Sequence, residues 1–382
     1  MSGQMNGRKR PIQIELHGFG RMLRCSWESS VRISLSTSHR SFSAEPDRPV
    51  LDAALNAGFN LPHSCKSGNC GACRARLLQG EVAYPNGKPL GLCEPQAADG
   101  LILLCQAHAR TDLLLETFAV TAADLALVKR LPCRIERAER SSHDVMSLYL
   151  RLPAAECFEF QPGQYIDILL SAGRRRSFSI ASPPHDSRLL ELHVRRAPGG
   201  EFTEQLFAGE ISNTLLNIEG PLGHFVYRPP TRLSSGEDAP MLLVGGGTGL
   251  APLMSMLRHV IENGLRREMT LYWGVRTELD LYAHASLEQM ARNCADLRYL
   301  PVLSEPSPQW QGRRGMVHES VLGDILQLDR YDVYASGPPA MIDAVRREFG
   351  RRGVAAARLS FDSFDYAPDS LARQRTMAST KS

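Results

Sequence analysis

Hydrophobic positions fall into three successive patterns along the chain. Over residues 29–122 short apolar alternations predict strands: Val31, Ile33 and Leu35 of "VRISLS" mark one buried face, and "ARLLQGEVAYPNGK" gives two more strands with turns at Gly80 and Asn86-Gly87. One helix interrupts them in "DRPVLDAALNAGFN", with Asp47 as its cap, Pro49 in the first turn, Leu51, Ala54 and Leu55 on one side, and Gly58 as its stop. Over 128–232 the segments "CRIERAER", "VMSLYLRLP", "GQYIDILL", "RSFSIAS" and "LLELHVRR" predict an antiparallel barrel or sandwich. The polar, proline-containing stretch at 228–240 reads as a linker. Over 238–366 strands alternate with helices: "MLLVGGG", "APLMSMLRHVIENG", "MTLYWGV", "SLEQMARNC", "RYLPVLS", "YDVYASG", "PAMIDAVRREFG". That order predicts a doubly wound parallel sheet. Residues 1–28 lack a clear period and are expected to be a flexible extension, with Met5 or Met22 as alternative starts; residues 367–382 are expected to be a polar tail.

Composition narrows the class. With 382 residues the chain exceeds one compact core, which fits three domains. A hydrophobic content of 43%, a charged content of 22% and a net charge of +3, without a clustered basic stripe, argue against nucleic acid as a partner. The N-terminus has no apolar run of the signal-peptide kind. The stretch "APMLLVGGGTGLAPLMSML", residues 239–257, is broken by glycines and prolines and reads as strand, turn and helix, so no integral membrane association is expected. Nine cysteines, mostly scattered, suggest a reducing, cytoplasmic setting rather than a disulfide scaffold.

Three of those cysteines stand together in "HSCKSGNCGAC". Cys65, Cys70 and Cys73, with four and then two residues between them, have the plant-type [2Fe-2S] spacing. Gly68, Gly71 and Ala72 would let the main chain approach a cluster whose sulfides accept N–H bonds. Cys93 and Cys105 are both candidates for the fourth ligand; Cys105, directly after the apolar strand "LILLC", is the one chosen. A structural zinc site is the alternative, although such sites favour two close pairs. Cys25, Cys133, Cys157 and Cys294 read as ordinary core or surface residues.

The cysteine segment, with "LLCQAHARTDLLLE", resembles the ferredoxin domain of flavin-containing, NAD(P)H-dependent iron–sulfur reductases of the ferredoxin–NADP reductase-like superfamily. That resemblance implies a β-grasp (plant-type ferredoxin) α+β domain, an antiparallel β-barrel FAD domain and an α/β NAD domain. "RRSFSIAS" is similar to the family's Arg-x-Tyr-Ser flavin motif with Phe in place of Tyr. Arg176 would neutralise a pyrophosphate, Phe178 would lie against the flavin and Ser179 would bond its N5, with Ser177 between them. The resemblance adds His193 and Arg195 of "ELHVRR", Gly199, Gly200 and Thr203 of "APGGEFT", and Gly220 and Gly223 of "EGPLG" to the flavin site. For the nicotinamide it implies Gly245, Gly246, Gly247, Thr248 and Gly249, then Ser336, Gly337 and Pro338, where Ser336 replaces the family's cysteine. Ser179, Thr248, Ser336 and Phe364 are the catalytic candidates, with Phe361 or Phe364 as the aromatic cover of the flavin. Arg276 could meet a 2′-phosphate, but Asp280 nearby would repel one, so NADH is expected rather than NADPH.

The three modules together imply a chain that takes two electrons as hydride and releases them singly, since flavin exchanges electrons in ones or twos. "GQYIDILL", "GRRRSFSIASPPH", "LYWGVR" and "VLSEP" resemble reductases of the CDP-6-deoxy-3,4-glucoseen type, which serve a PMP-dependent dehydrase. The same architecture is found in reductase components of mono- and dioxygenases, which makes an oxygenase component the alternative acceptor. A redox sensor without its own catalysis, or a diaphorase lacking the cluster, fits less well. Lys66, Arg74 and Arg76 flank the cysteines and could steer an acidic acceptor.

Overall fold

The computed structural model describes residues 30–63, 66, 68, 71–89, 91–92, 94–117, 128–171, 174–209 and 214–364. The expectations for residues 1–28 and 367–382, and for Cys65, Cys70 and Cys93, lie outside the described residues.

The first unit holds β1 (Val31–Leu35), β2 (Ser41–Ala44), α1 (Val50–Asn56), β3 (Arg74–Gln79), β4 (Val82–Ala83), α2 (Glu94–Ala98), β5 (Leu101–Leu103), β6 (His108–Ala109) and β7 (Leu113–Thr117). Its main sheet runs β2-β1-β7-β3-β5, with the β1–β7 pair parallel and the other pairs antiparallel, and α1 lies across it as in a β-grasp. Ile33 and Leu35 point into the core that also takes Leu51, Ala54 and Leu55 of α1. Asp47 does not cap α1: Pro49 occupies the N-cap position, and no side chain bonds there.

The second unit is an antiparallel six-stranded sheet of β8 (Lys129–Arg140), β9 (Val145–Arg151), β10 (Tyr165–Leu169), β11 (Arg175–Ser179), β12 (Leu189–Arg195) and β13 (Leu215–Leu222), with α3 (Glu201–Ala208) packed on it. Its order is β11-β10-β13-β8-β9-β12, and an Ile180–Leu192 bridge joins the two edges into a barrel. Closure removes the exposed strand edges. Tyr165 and Leu222 of this barrel also belong to the first unit's core, so the two units share packed apolar surface.

The third unit is β14 (Met241–Gly246), α4 (Leu250–Glu262), β15 (Met269–Val275), α5 (His284–Asn293), β16 (Leu297–Leu303), β17 (Arg313–Arg314), α6 (Val317–Asp324), β18 (Asp332–Gly337), α7 (Pro339–Arg351) and β19 (Leu359–Ser363). All its strand pairs are parallel, in the order β17-β16-β15-β14-β18-β19. The order reverses between β14 and β18, and ligands of open α/β sheets bind at such a switch point. Among the described residues no helix is long and apolar enough to cross a membrane.

Candidate functional site

Antiparallel pairing of β3 with β5 sets Arg74 opposite Leu103, so Cys73 and Cys105 emerge at the same end of the pair. Their sulfurs lie 3.2 Å apart, with Cys73 1% and Cys105 4% exposed. Bonded sulfurs would be about 2.05 Å apart, so these are two free thiols aimed at one point, a donor set that suits two ligands on one iron. Leu104 N–H donates to the Cys73 carbonyl, and the Gln106 amide donates to the carbonyls of Lys66 and Cys105. Gly68, at φ +82°, needs its missing side chain: a Cβ there would stand 2.8 Å from Gln106 and 2.9 Å from Pro89. Burial raises the Tyr84 phenol despite the bond from Leu103 N–H, and the charges of Cys73 and Cys105 push it the same way.

The three basic residues expected to steer a partner all have intramolecular contacts. Lys66 pairs with Asp167 at 3.0 Å, Arg74 Nε donates to the Gly71 carbonyl at 2.8 Å, and Arg76 donates to the Asp99 carbonyl at 2.6 Å.

The β10–β11 hairpin carries the flavin motif, with Ser179 opposite Tyr165 and Phe178 opposite Ile166. Phe178 packs on the barrel core, its ring 5.9 Å from Phe202. Arg176 Nη1 donates to the Arg175 carbonyl at 2.8 Å. Several expected site residues direct their polar side-chain atoms at protein. The Ser177 hydroxyl donates to Asp167 at 2.5 Å, and Thr203 receives Ala197 N–H at 3.1 Å and donates to the Gly200 carbonyl at 3.0 Å. His193 Nε2 donates to Glu191 at 3.1 Å, which leaves Nδ1 to accept from the Tyr282 hydroxyl at 2.9 Å. A cofactor contact through any of these three side chains would compete with a bond to protein. Gly199, at φ +70°, precedes Gly200, the N-cap of α3. Gly220 and Gly223 lie against β10: a Cβ at 220 would meet Ile166 at 2.8 Å, and one at 223 the Tyr165 ring at 2.9 Å.

At the β14–β18 switch point the glycines have distinct jobs. A Cβ on Gly249 would stand 2.1 Å from the Ser336 carbonyl oxygen, and one on Gly246 2.7 Å from the Met341 sulfur, so these two allow the loop to pack on β18 and α7. Gly245 pairs with Ser336 across the strands. Gly247, at φ +55°, instead faces Arg195, whose guanidinium is 2.9 Å from the missing Cβ. Gly247, Thr248 and Gly249 form the turn that starts α4, and Trp273 Nε1 donates to the Gly247 carbonyl at 2.9 Å. Ser336 is fully buried, Gly337 ends β18, and Pro338 is the N-cap of α7.

Asp362 on β19 is the residue that sequence reading missed. The hydroxyls of Ser179 on the barrel and Ser336 on the parallel sheet both reach its Oδ2 at 3.5 Å. Phe364 follows on the same strand's exit, its N–H donating to the Gly337 carbonyl at 3.3 Å. Phe361 packs instead on the third unit's core, with Arg346 5.2 Å from its ring centre. Of the two aromatics, Phe364 bonds to Gly337 through its backbone, and Phe361 stands opposite Ala335 in the strand register.

Asp280 does not play the part expected of it. Its carboxylate is 2% exposed and accepts the Thr277 N–H at 2.9 Å and hydroxyl at 3.0 Å. Burial would raise its pKa, but those bonds and the charges of Arg276 and Arg195 hold it below the usual carboxylate value. The carboxylate is turned inward, whereas Arg276 at the end of β15 is exposed.

Glu191 ties the barrel to α4. Arg258 Nη1 lies 2.5 Å from its carboxylate, and nearby the Ser255 hydroxyl donates to the Ser182 carbonyl at 2.7 Å. Burial pushes Glu191 up, but the His193 bond and the Arg258 charge outweigh it and hold the pKa at about 2.

Comparison with known proteins agrees with this geometry. Residues 33–110 match the 2Fe-2S iron-sulfur cluster binding domain, 132–227 the oxidoreductase FAD-binding domain and 243–347 the oxidoreductase NAD-binding domain. The CDP-6-deoxy-L-threo-D-glycero-4-hexulose-3-dehydrase reductase of Yersinia pestis is 34% identical over 88% of this chain and 98% of its own. The chain belongs to the flavin- and [2Fe-2S]-containing oxidoreductases. Reductase component 2 of terephthalate 1,2-dioxygenase from Comamonas, another member, is 32% identical over 88% of this chain and 98% of its own. Among solved structures, the Amycolatopsis reductase GcoB superposes with a TM-score of 0.72 at 32% identity, covering 88% of this chain and 99% of its own. This family member is therefore an electron-transferring oxidoreductase with domains for FAD, NAD and a [2Fe-2S] cluster, and the zinc reading of the cysteines is set aside.

Proposed function

We propose that the chain accepts hydride from NADH and passes the electrons singly, through FAD and the cluster, to a separate acceptor protein in the cytoplasm. Residues 29–122 would hold the cluster through Cys65, Cys70, Cys73 and Cys105, residues 128–232 the FAD, and residues 238–366 the nicotinamide. The observation that carries this reading is the meeting of Ser179 and Ser336, from two domains, on one buried carboxylate oxygen of Asp362. That arrangement holds both hydroxyls at the boundary of the FAD and NAD domains and supports a meeting of flavin edge and nicotinamide there. Bound FAD supplies the exchange between two-electron and one-electron steps. Thr248 offers a hydroxyl at the start of α4, and Phe364 a ring at the exit of β19, next to Gly337. Arg195, opposite Gly247, offers positive charge to a dinucleotide pyrophosphate. Preference for NADH over NADPH rests on the resemblance, because Asp280 faces inward and Arg276 is the exposed charge.

For the acceptor, the Yersinia relative supports a dehydrase acting on a CDP-linked hexulose, which the sequence resemblance makes PMP-dependent. The Comamonas relative supports the second reading, an oxygenase component. The test is reconstitution: the reductase with NADH and each type of acceptor, followed by product formation. Turnover with the dehydrase and none with an oxygenase component would decide for the first; the reverse result would overturn it.

A further inference from the structure

Lys66, next in sequence to Cys65, reaches the FAD barrel by a contact that the cofactor motifs do not require. Lys66 and His39 are the non-glycine residues with positive φ among the described residues, and Lys66 stands at +52°. A side chain with a Cβ resists that conformation. Here the turn sends the ammonium group across the domain boundary to Asp167 Oδ2 on β10, 3.0 Å away. The Asp167 side chain is 1% exposed; its other oxygen receives the Ser177 hydroxyl, and Arg175 lies 3.7 Å from Oδ2. Asp52 on α1 also feels the charges of Lys66, Asp167 and Arg175.

The same boundary is crossed a few residues earlier by the main chain. His63 N–H donates to His224 Nδ1 at 3.3 Å, and His224 N–H donates to the His63 carbonyl at 3.1 Å. The His63 ring meets Tyr165 and His224 edge-on, both at 5.8 Å. His63 is two residues before Cys65, and His224 directly follows Gly223 of the flavin motif. This patch therefore joins a residue close in sequence to an expected cluster ligand with one that adjoins the flavin motif.

We propose that the Lys66–Asp167 pair is a latch that keeps the first unit docked on the barrel, with Lys66 a positioning residue for transfer from flavin to cluster. This rests on the electron path proposed above. Each passage oxidises the reduced flavin by one electron and reduces the cluster by one, with NADH as the source of electrons. Electronic coupling falls steeply as the gap widens, so a first unit that undocks from the barrel loses rate even while the chain stays intact. An interface between domains of one chain is by default mobile, and a half-buried ion pair beside the cluster loop limits that motion.

The test uses the full-length holoprotein, Lys66→Met and Lys66→Arg. NADH-dependent ferricyanide reduction reads the flavin, NADH-dependent cytochrome c reduction reads exit through the cluster, and amide hydrogen exchange of peptides containing His63 and His224 reads docking without turnover. Lys66→Met should lower the cytochrome c to ferricyanide ratio by about fivefold, the scale of a partly buried ion pair. It should also speed exchange in both peptides while leaving ferricyanide reduction unchanged, and Lys66→Arg should restore both readouts. Asp167→Asn provides a second route to the same exchange result. Unchanged exchange and an unchanged ratio in Lys66→Met would overturn the latch. Wild-type protein that reduces ferricyanide but never its own cluster would overturn the electron path instead, and the exchange data would then be read separately.

Discussion

Individual side chains decide whether hydride can enter. With Ser179 and Ser336 sharing one Asp362 oxygen, Asp362→Asn should keep the contact but remove the charge that orients both hydroxyls. We expect NADH-dependent flavin reduction in stopped flow to slow by about 10–100-fold, with NADH affinity changed far less; equal losses in rate and affinity would assign Asp362 to binding. Glu191 gives a pH prediction. Its folded pKa, about 2, lies below the ordinary 4.5, so its contribution is complete above about pH 4.5 and is lost as pH falls toward 2. The difference in melting temperature between wild type and Glu191→Gln should therefore be constant at neutral pH and close in that acid window. Sequence reading found the side chains that belong to spaced motifs, such as Cys73 with Cys105. It missed Asp362, because a lone carboxylate in "LSFDSF" acquires meaning only when two domains bring serines to it. What it could not show is that the polar atoms of Ser177, Thr203 and His193, candidates by resemblance, are bonded to protein.

Elements with a strong period were legible. β1, β9 and β15 follow apolar alternation or continuous apolar runs, and α4 and α7 carry long amphipathic patterns. α6 and β19 were not foreseen: α6 buries only Val317 and Val321, and β19 is a five-residue strand whose Leu359 and Phe361 are only half-buried. Such elements form because a neighbour already stands beside them, here β18 pairing with β19. The glycine turn teaches the same lesson. Its residues could be read as room for a phosphate, yet Gly249 is needed first by the Ser336 carbonyl. Gly249→Ala should cost about 1–3 kcal/mol by overpacking and weaken NADH binding as β18 shifts. Gly350, exposed near the end of α7 with nothing within 4 Å of a Cβ, is the contrast. Gly350→Ala should raise stability by up to about 1 kcal/mol, visible as a higher melting temperature with unchanged activity.

The whole molecule is built so that a buried seam runs through all three domains: His63 with His224, Ser179 with Asp362, Glu191 with Arg258. Electron capacity tests whether that seam works as one circuit. FAD takes two electrons and the cluster one, so anaerobic titration of the holoprotein should end near about 1.5 equivalents of NADH, with flavin absorbance bleaching alongside the rhombic signal of a reduced [2Fe-2S] centre. Cys105→Ser removes one of the paired buried thiols at 3.2 Å. It should abolish that signal, lower the endpoint to about 1 equivalent, and leave the rate of flavin bleaching by NADH unaltered, because hydride entry depends on Ser179, Ser336 and Asp362 and not on Cys105. An endpoint of about 1.5 equivalents in Cys105→Ser would mean that another residue completes the cluster, and Cys93 would be the first to examine. If instead flavin bleaching slows in step with loss of the cluster, the domains are coupled more tightly than their separate contacts imply: docking of the first unit would then help to shape the flavin site through Tyr165 and Gly223, where the barrel meets that unit.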